Sequence, residues 1–394
     1  MDTDFDKGVD RIGTACIKWD FRQQELGNPD VLPFSIADAD FPMCRVVADA
    51  LHARIDRGVL GYTDLDEAYL SSVVRWFDKR HDWKIQPEWI TSTSGVVPAV
   101  NAAIAAFLKP GDKVVSQTPL YDPFESVIAA NGCVSVHNEL VREGNGSYRM
   151  GFDDLERKLA DGASMLLVCS PHNPVGRVWS EEELTRVRDL CRAYGVILVS
   201  DEIHWDLIMP GYKHVTLGVL TDESDRVVIC TAPSKTFNIA GLETSNIVIA
   251  NALLREKYQG WLYSRYMFCA NTLGLTACAA AYDGGAQWVD EQNQYLASNA
   301  ELVREFMRQR VPEAVVTPLE GTYLMWIDLT FLGRTSGELV AAILNRGAGV
   351  NSGAHYGRGG EGFIRLNIAC PRRQLIQGLE SIASAVAELR GVRA

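Results

Sequence analysis

Between about Asp64 and Ala280 the chain alternates short apolar runs with longer helical patterns, and this alternation limits the possible folds most sharply. Lys113-Val114-Val115-Ser116, Ser164 to Cys169, Val196 to Ser200, Arg226 to Cys230 and Asn246 to Ala250 read as strands. Their apolar character is continuous, as in strands covered on both faces. Helix candidates lie between them. Val97 to Leu108 ends at Lys109-Pro110-Gly111. Ser180 to Tyr194 opens with a serine cap and three glutamates in its first turn. The pattern predicts an α/β fold whose mostly parallel sheet carries helices on both faces. Ligands of such sheets bind at the carboxyl ends of the strands.

The last hundred residues differ. They offer a long polar helix candidate from Trp288 to Gln309, strand-like runs at Gly321 to Asp328 and Gly362 to Ile368, and a final helix from Arg372 to Leu389. This reads as a smaller α+β domain, with the turn-rich arm up to Pro42 packed beside it. The expected division is 1–50 as arm and part of the small domain, 51–287 as the large domain and 288–394 as the small one. With 394 residues, 47% of them hydrophobic, such a chain can bury a large core. The net charge of −12, with no basic run, argues against nucleic acid. Nine scattered cysteines (16, 44, 133, 169, 191, 230, 269, 278 and 370) form no metal-ligand spacing and read as small core residues of a cytoplasmic protein. No apolar run reaches the roughly 18 residues of a membrane span.

Two residues fall just after strand runs, where a ligand is expected. Lys235 lies in Thr231-Ala232-Pro233-Ser234-Lys235-Thr236, among hydroxyls suited to a phosphate. Asp201 closes the strand before it in Ser200-Asp201-Glu202-Ile203-His204. A lysine at random is an exposed charge, and an aspartate after a strand is a turn cap. Placed 34 residues apart on successive strands, the pair instead suits pyridoxal phosphate, which needs a Schiff-base lysine and an acid for its pyridine nitrogen. Asn173, in Ser170-Pro171-His172-Asn173-Pro174, is either a turn residue or an amide donor to the cofactor's phenolic oxygen. Ser94-Gly95-Val96-Val97 offers bare N–H groups at a helix start. Tyr121 suits ring stacking or plain packing. Arg365 suits a substrate carboxylate or an ion pair.

Together these segments resemble the class-I/II aminotransferase-like superfamily of pyridoxal-phosphate enzymes, over nearly the whole chain. The closer similarity is to its cystathionine β-lyase branch, the MalY/PatB-type C–S lyases. It is carried by Ile36-Ala37-Asp38-Ala39-Asp40-Phe41-Pro42, Gly95-Val96-Val97-Pro98, Asp201-Glu202-Ile203-His204, Pro233 to Leu242 and Arg365-Leu366-Asn367-Ile368-Ala369-Cys370-Pro371. The resemblance implies the aspartate aminotransferase fold, with a seven-stranded sheet. It implies Lys235 as catalytic residue, Asp201 on the pyridine nitrogen, Asn173 on the phenolic oxygen and Tyr121 stacked on the ring. Val96, Val97, Thr231 and Ser234 would hold the phosphate. His204 would lie beside the cofactor, where ordinary aminotransferases carry tyrosine. Arg365, with Ala37 and Asp38 nearby, would hold an amino-acid substrate. Tyr62 would reach the neighbouring active site of a homodimer. The implied reaction is β-elimination from an S-substituted cysteine. Amino transfer is the alternative, and a regulatory protein of this fold a further one. Ser35, Ala39, Trp205 and Glu243 depart from the branch, and the first three are expected to shape the substrate pocket.

Overall fold

A computed structural model describes residues 3–267 and 270–391. Seven strands form the large sheet: β1 (Ile90–Thr93), β2 (Lys113–Thr118), β3 (Val134–Glu139), β4 (Ala163–Cys169), β5 (Ile197–Asp201), β6 (Val227–Thr231) and β7 (Ser245–Val248). Their order is β1-β7-β6-β5-β4-β2-β3. Strand β7 runs antiparallel to both neighbours, and every other pairing is parallel. Six strands therefore end on the same edge.

Alternate residues of the inner strands enter two separate cores. Leu166 and Val168 belong to one, Met165 and Leu167 to the other. Burial on both faces explains the unbroken apolar runs. The five runs read from the sequence are the five interior strands. The two it missed, β1 and β3, are the sheet edges.

The capped helix spans Glu181–Tyr194. Ser180 accepts from Glu183 N–H, and Glu183 reciprocates in a capping box. The helix after β1 runs Val96–Phe107, one residue earlier than expected. Arg372–Leu389 is as expected, and the long helix extends to Ala286–Arg310.

A second, antiparallel sheet contains β8 (Val315–Val316), β9 (Leu324–Asp328), β10 (Asn351–Ser352) and β11 (Phe363–Asn367), in the order β8-β9-β11-β10. The N-terminal arm lies against this part of the molecule, with Leu32–Pro33 paired in parallel to Ala348–Gly349. Asn367 Nδ2 donates to the carbonyls of Ile36 and Asp38, at 2.7 and 2.8 Å. Four of the arm's charges pair with one another, and two of them, Lys18 and Asp40, are buried. Lys18 Nζ lies 2.9 Å from Asp40 Oδ2, and Arg11 bridges Asp38 and Asp40 at 2.8 and 3.0 Å.

Candidate active site

The carboxyl ends of β2, β4, β5 and β6 supply Tyr121, Asn173, Asp201 and Lys235 in turn. At the end of β1, Gly95 adopts φ 149°, a conformation open to glycine, and leads into the Val96–Phe107 helix. No side chain caps that helix, so its first N–H groups are available to an anion. Val96 is buried and Val97 half-buried. Thr231 ends β6, and its hydroxyl donates to Asn246 O at 3.1 Å. Ser234 is buried in the single turn that carries Lys235.

Lys235 Nζ donates to Ala37 O at 2.7 Å, and the Tyr323 hydroxyl donates to the same carbonyl at 3.0 Å. Burial pushes the lysine pKa down; Asp38 pulls it up, Arg365 pushes it down and Asp201 pulls it up. An amine held this way is nearer its neutral, nucleophilic form than one in water. Asp201 is 4% exposed, and its carboxylate accepts one hydrogen bond among the described residues, from Ile203 N–H at 3.0 Å. Burial pushes its carboxyl up to about 7. His204 is buried, with Nδ1 unpartnered, and burial followed by the charges of Lys235 and Arg365 pushes its pKa down to about 3. Its ring meets Tyr323 edge-on at 5.9 Å.

Arg365, on β11, is 3% exposed. Nη1 donates to Asn173 Oδ1 at 3.0 Å and Nη2 to Ser35 O at 2.6 Å, while Nε is buried without a partner. Tyr121 packs edge-on against Phe124, and burial pushes its hydroxyl up to about 12. Asp38 is turned toward Arg11, so Ala37 meets Lys235 through its carbonyl alone. Tyr62 stands apart from this group at 99% exposure.

One expectation changes. Trp205 lines no substrate pocket: it is fully buried, stacked on His81 at 3.7 Å and edge-on to Phe77. Ala39 is equally buried, with its N–H and carbonyl both bonded to the Asn238 side chain. Ser35 contributes a carbonyl, and Glu243 is exposed in a left-handed turn. Tyr323, Asn351 and Tyr356 surround the site without having been read from the sequence. Their contacts span strands, and no local pattern marks them.

A buried acid with a single hydrogen-bond donor among the described residues and a lysine amine shifted toward neutrality are the partners a pyridine nitrogen and an aldehyde require. The residues present therefore fit pyridoxal phosphate. The fold and site define an α/β protein built to hold such a group at the carboxyl edge of its sheet. The family model for aminotransferase class I and II matches residues 29–382, and the chain belongs to that family. It is 41% identical to the cystathionine beta-lyase PatB of Bacillus subtilis, over 97% of this chain and 99% of that protein. The PLP-bound putative aminotransferase of Clostridium difficile superposes with a TM-score of 0.95 at 34% identity, covering 98% of this chain and 100% of that one. The PLP-bound C-S lyase of Staphylococcus hominis superposes with a TM-score of 0.91 at 30% identity, covering 98% of each chain.

Proposed function

We propose that the chain is a pyridoxal-phosphate-dependent carbon–sulfur lyase, converting S-substituted L-cysteines to a thiol, pyruvate and ammonia. The observation that carries the chemistry is the pairing of Lys235 with Asp201 across adjacent strand ends. The choice of a sulfur leaving group is supported by the similarity to the Bacillus subtilis cystathionine beta-lyase.

Pyridoxal phosphate, when bound, accepts the electron pair released at the substrate's α-carbon. Lys235 Nζ would hold the aldehyde of the cofactor. The Lys235 amine, when free and neutral, would be the base for the substrate's α-proton. Asp201 would hydrogen-bond the pyridine nitrogen and keep it protonated, and Asn173 would serve the phenolic oxygen. Tyr121 would cover the ring, with the neutral His204 beside it. The N–H groups of Val96 and Val97 receive the phosphate, together with Thr231 and Ser234. The Thr231 hydroxyl proton serves Asn246 O here, so that hydroxyl would turn from the carbonyl to donate to a phosphate. Arg365 grips the substrate carboxylate beside Ala37 and Asp38.

The division at residues 50 and 287 belongs to the same proposal, with the site between a large and a small domain. So does a homodimer. Tyr62 is flanked by exposed Val59 and Leu60, and Thr63 bridges to Ala270 beside exposed Tyr263 and Tyr266. A second copy covering this face would receive Tyr62 at its phosphate. No described helix is long and apolar enough to cross a membrane. Eight described cysteines are free thiols, which supports a cytoplasmic setting; Cys269 lies outside the described residues.

Cystathionine or another cysteine thioether should yield pyruvate without a keto acid. Amino transfer is the competing reading, favoured by the similarity to the PLP-bound putative aminotransferase of Clostridium difficile. Production of amino acid only when a keto acid is supplied would overturn the lyase reading. Sedimentation should give a dimer, and Tyr62→Ala should weaken cofactor retention about tenfold.

A further inference from the structure

Strand register places Arg365 in a row of three side chains. Its cross-strand neighbours are Trp326 on β9 and Asn351 on β10. Directly opposed residues project from the same face of a sheet. Tyr356 ends the single turn Gly353–Tyr356 that follows β10, and the Arg365 guanidinium carbon lies 5.1 Å from the centroid of its ring. Trp326 packs edge-on against that ring at 5.5 Å. Leu120 N–H donates to Tyr356 O at 2.9 Å, tying the turn to the segment that carries Tyr121.

Asn351 joins the pieces. In the amide orientation that satisfies its neighbours, the nitrogen donates to Ser35 O at 3.1 Å. The oxygen then accepts from the Tyr356 hydroxyl at 2.9 Å and from Arg365 Nη2 at 3.2 Å. Burial pushes the Tyr356 pKa up, so the hydroxyl stays protonated. The aromatic face fixes the plane of the guanidinium, and Asn351 fixes its rotation within that plane. Arg365 Nε is left buried without a partner.

We propose that Asn351 and Tyr356 are positioning residues that set the plane and rotation of the Arg365 guanidinium, making the site selective for a free α-carboxylate. The proposal rests on the reading of Arg365 as the carboxylate clamp. A planar carboxylate is gripped bidentately only when the guanidinium fork is coplanar with it. A tilted fork keeps its charge and loses that match. Amides and decarboxylated amines need no such match, so they are the ligands that separate orientation from charge.

The test is calorimetric binding of L-alanine and L-alaninamide to the cofactor-loaded protein, with KM and kcat measured alongside for a cysteine thioether and its amide. Asn351→Ala and Tyr356→Leu should each weaken L-alanine about tenfold and leave L-alaninamide within about twofold. Tyr356→Phe keeps the ring and loses the hydroxyl, so its loss for L-alanine should be about threefold. In turnover KM should rise for the carboxylate substrate while kcat holds. Arg365→Gln runs in the same panel. If it separates the two ligands while Asn351→Ala and Tyr356→Phe weaken both equally or neither, the positioning role is overturned and the clamp stands. If Arg365→Gln fails to separate them, the clamp reading falls and the positioning role falls with it. Tyr356→Phe and Asn351→Ala keep the proposal open to refutation should Tyr356→Leu not fold.

Discussion

Asp201 and Glu202 are adjacent carboxylates, both buried, and the fold treats them in opposite ways. Glu202 receives Ser200 Oγ at 2.8 Å, Leu217 N–H at 3.1 Å and His214 Nε2 at 3.0 Å. Asp201 receives Ile203 N–H alone among the described residues, and its carboxyl is pushed up to about 7. Behind the lysine turn, Asp206 is also well supplied, by His81 Nε2 at 3.0 Å and Thr236 Oγ1 at 3.1 Å. Carboxylates facing the sheet interior are saturated with donors, as buried polar groups generally are. The one facing the carboxyl edge is left short. A buried acid short of donors marks the place where a ligand completes the structure.

The largest effect that bears on this contrast is chemical. Lys235→Ala should lower pyruvate release about 10³-fold while leaving the protein folded, since the side chain has one hydrogen bond, to Ala37 O. Thermal unfolding measured beside the pyruvate assay separates the two effects. Next is Glu202→Ala, which strands three donors in the interior. Denaturant unfolding should show a loss of about 3 to 5 kcal/mol, with or without cofactor.

Asp201→Asn should act in the opposite direction in the cofactor-free protein. The folded carboxyl titrates at about 7 against 3.8 for an ordinary aspartate. Below the ordinary value both states are protonated and nothing is lost. As pH rises the unfolded chain releases its proton first, so stability drains until about pH 7. At pH 8 the asparagine variant should be more stable by about 2 kcal/mol and far less active. Loss of stability in both the Asp201 and Glu202 variants would break the contrast.

The smallest effect belongs to His204, whose folded pKa of about 3 lies below the ordinary 6.5. Its burial costs nothing above pH 6.5, and the cost grows as pH falls toward 3. In cofactor-free protein, His204→Gln should recover about 1 kcal/mol of the stability lost between pH 7 and 5.

The interior strands were legible because two-sided burial writes unbroken apolar runs. Strand β1 reads Ile-Thr-Ser-Thr, and β3 begins at an exposed Val134 and ends at an exposed Glu139. As edges each pairs on one side only, and burial writes less into them. Lys235 and Asp201 were visible because each follows its strand at once. The surroundings of Arg365 were not: Asn173 and Ser35 lie 192 and 330 residues from it in sequence. Trp205 misled for a related reason. A large residue next to His204 reads as pocket-lining until the strand end shows it pointing into the core against Phe77 and His81.

The strand order also sets a timetable for synthesis. Strand β1 pairs only with β7, and Thr93 Oγ1 meets Ser245 Oγ at 2.7 Å across 152 residues of chain. The same Thr93 hydroxyl lies 2.9 Å from Gly95 O, at the helix start offered to the phosphate. On the ribosome that turn must wait roughly 8 to 30 s for its partner strand to emerge. Arg365 arrives later still, so a nascent chain that already carries Asp201, Lys235 and the paired turn lacks the side chain assigned to the substrate carboxylate.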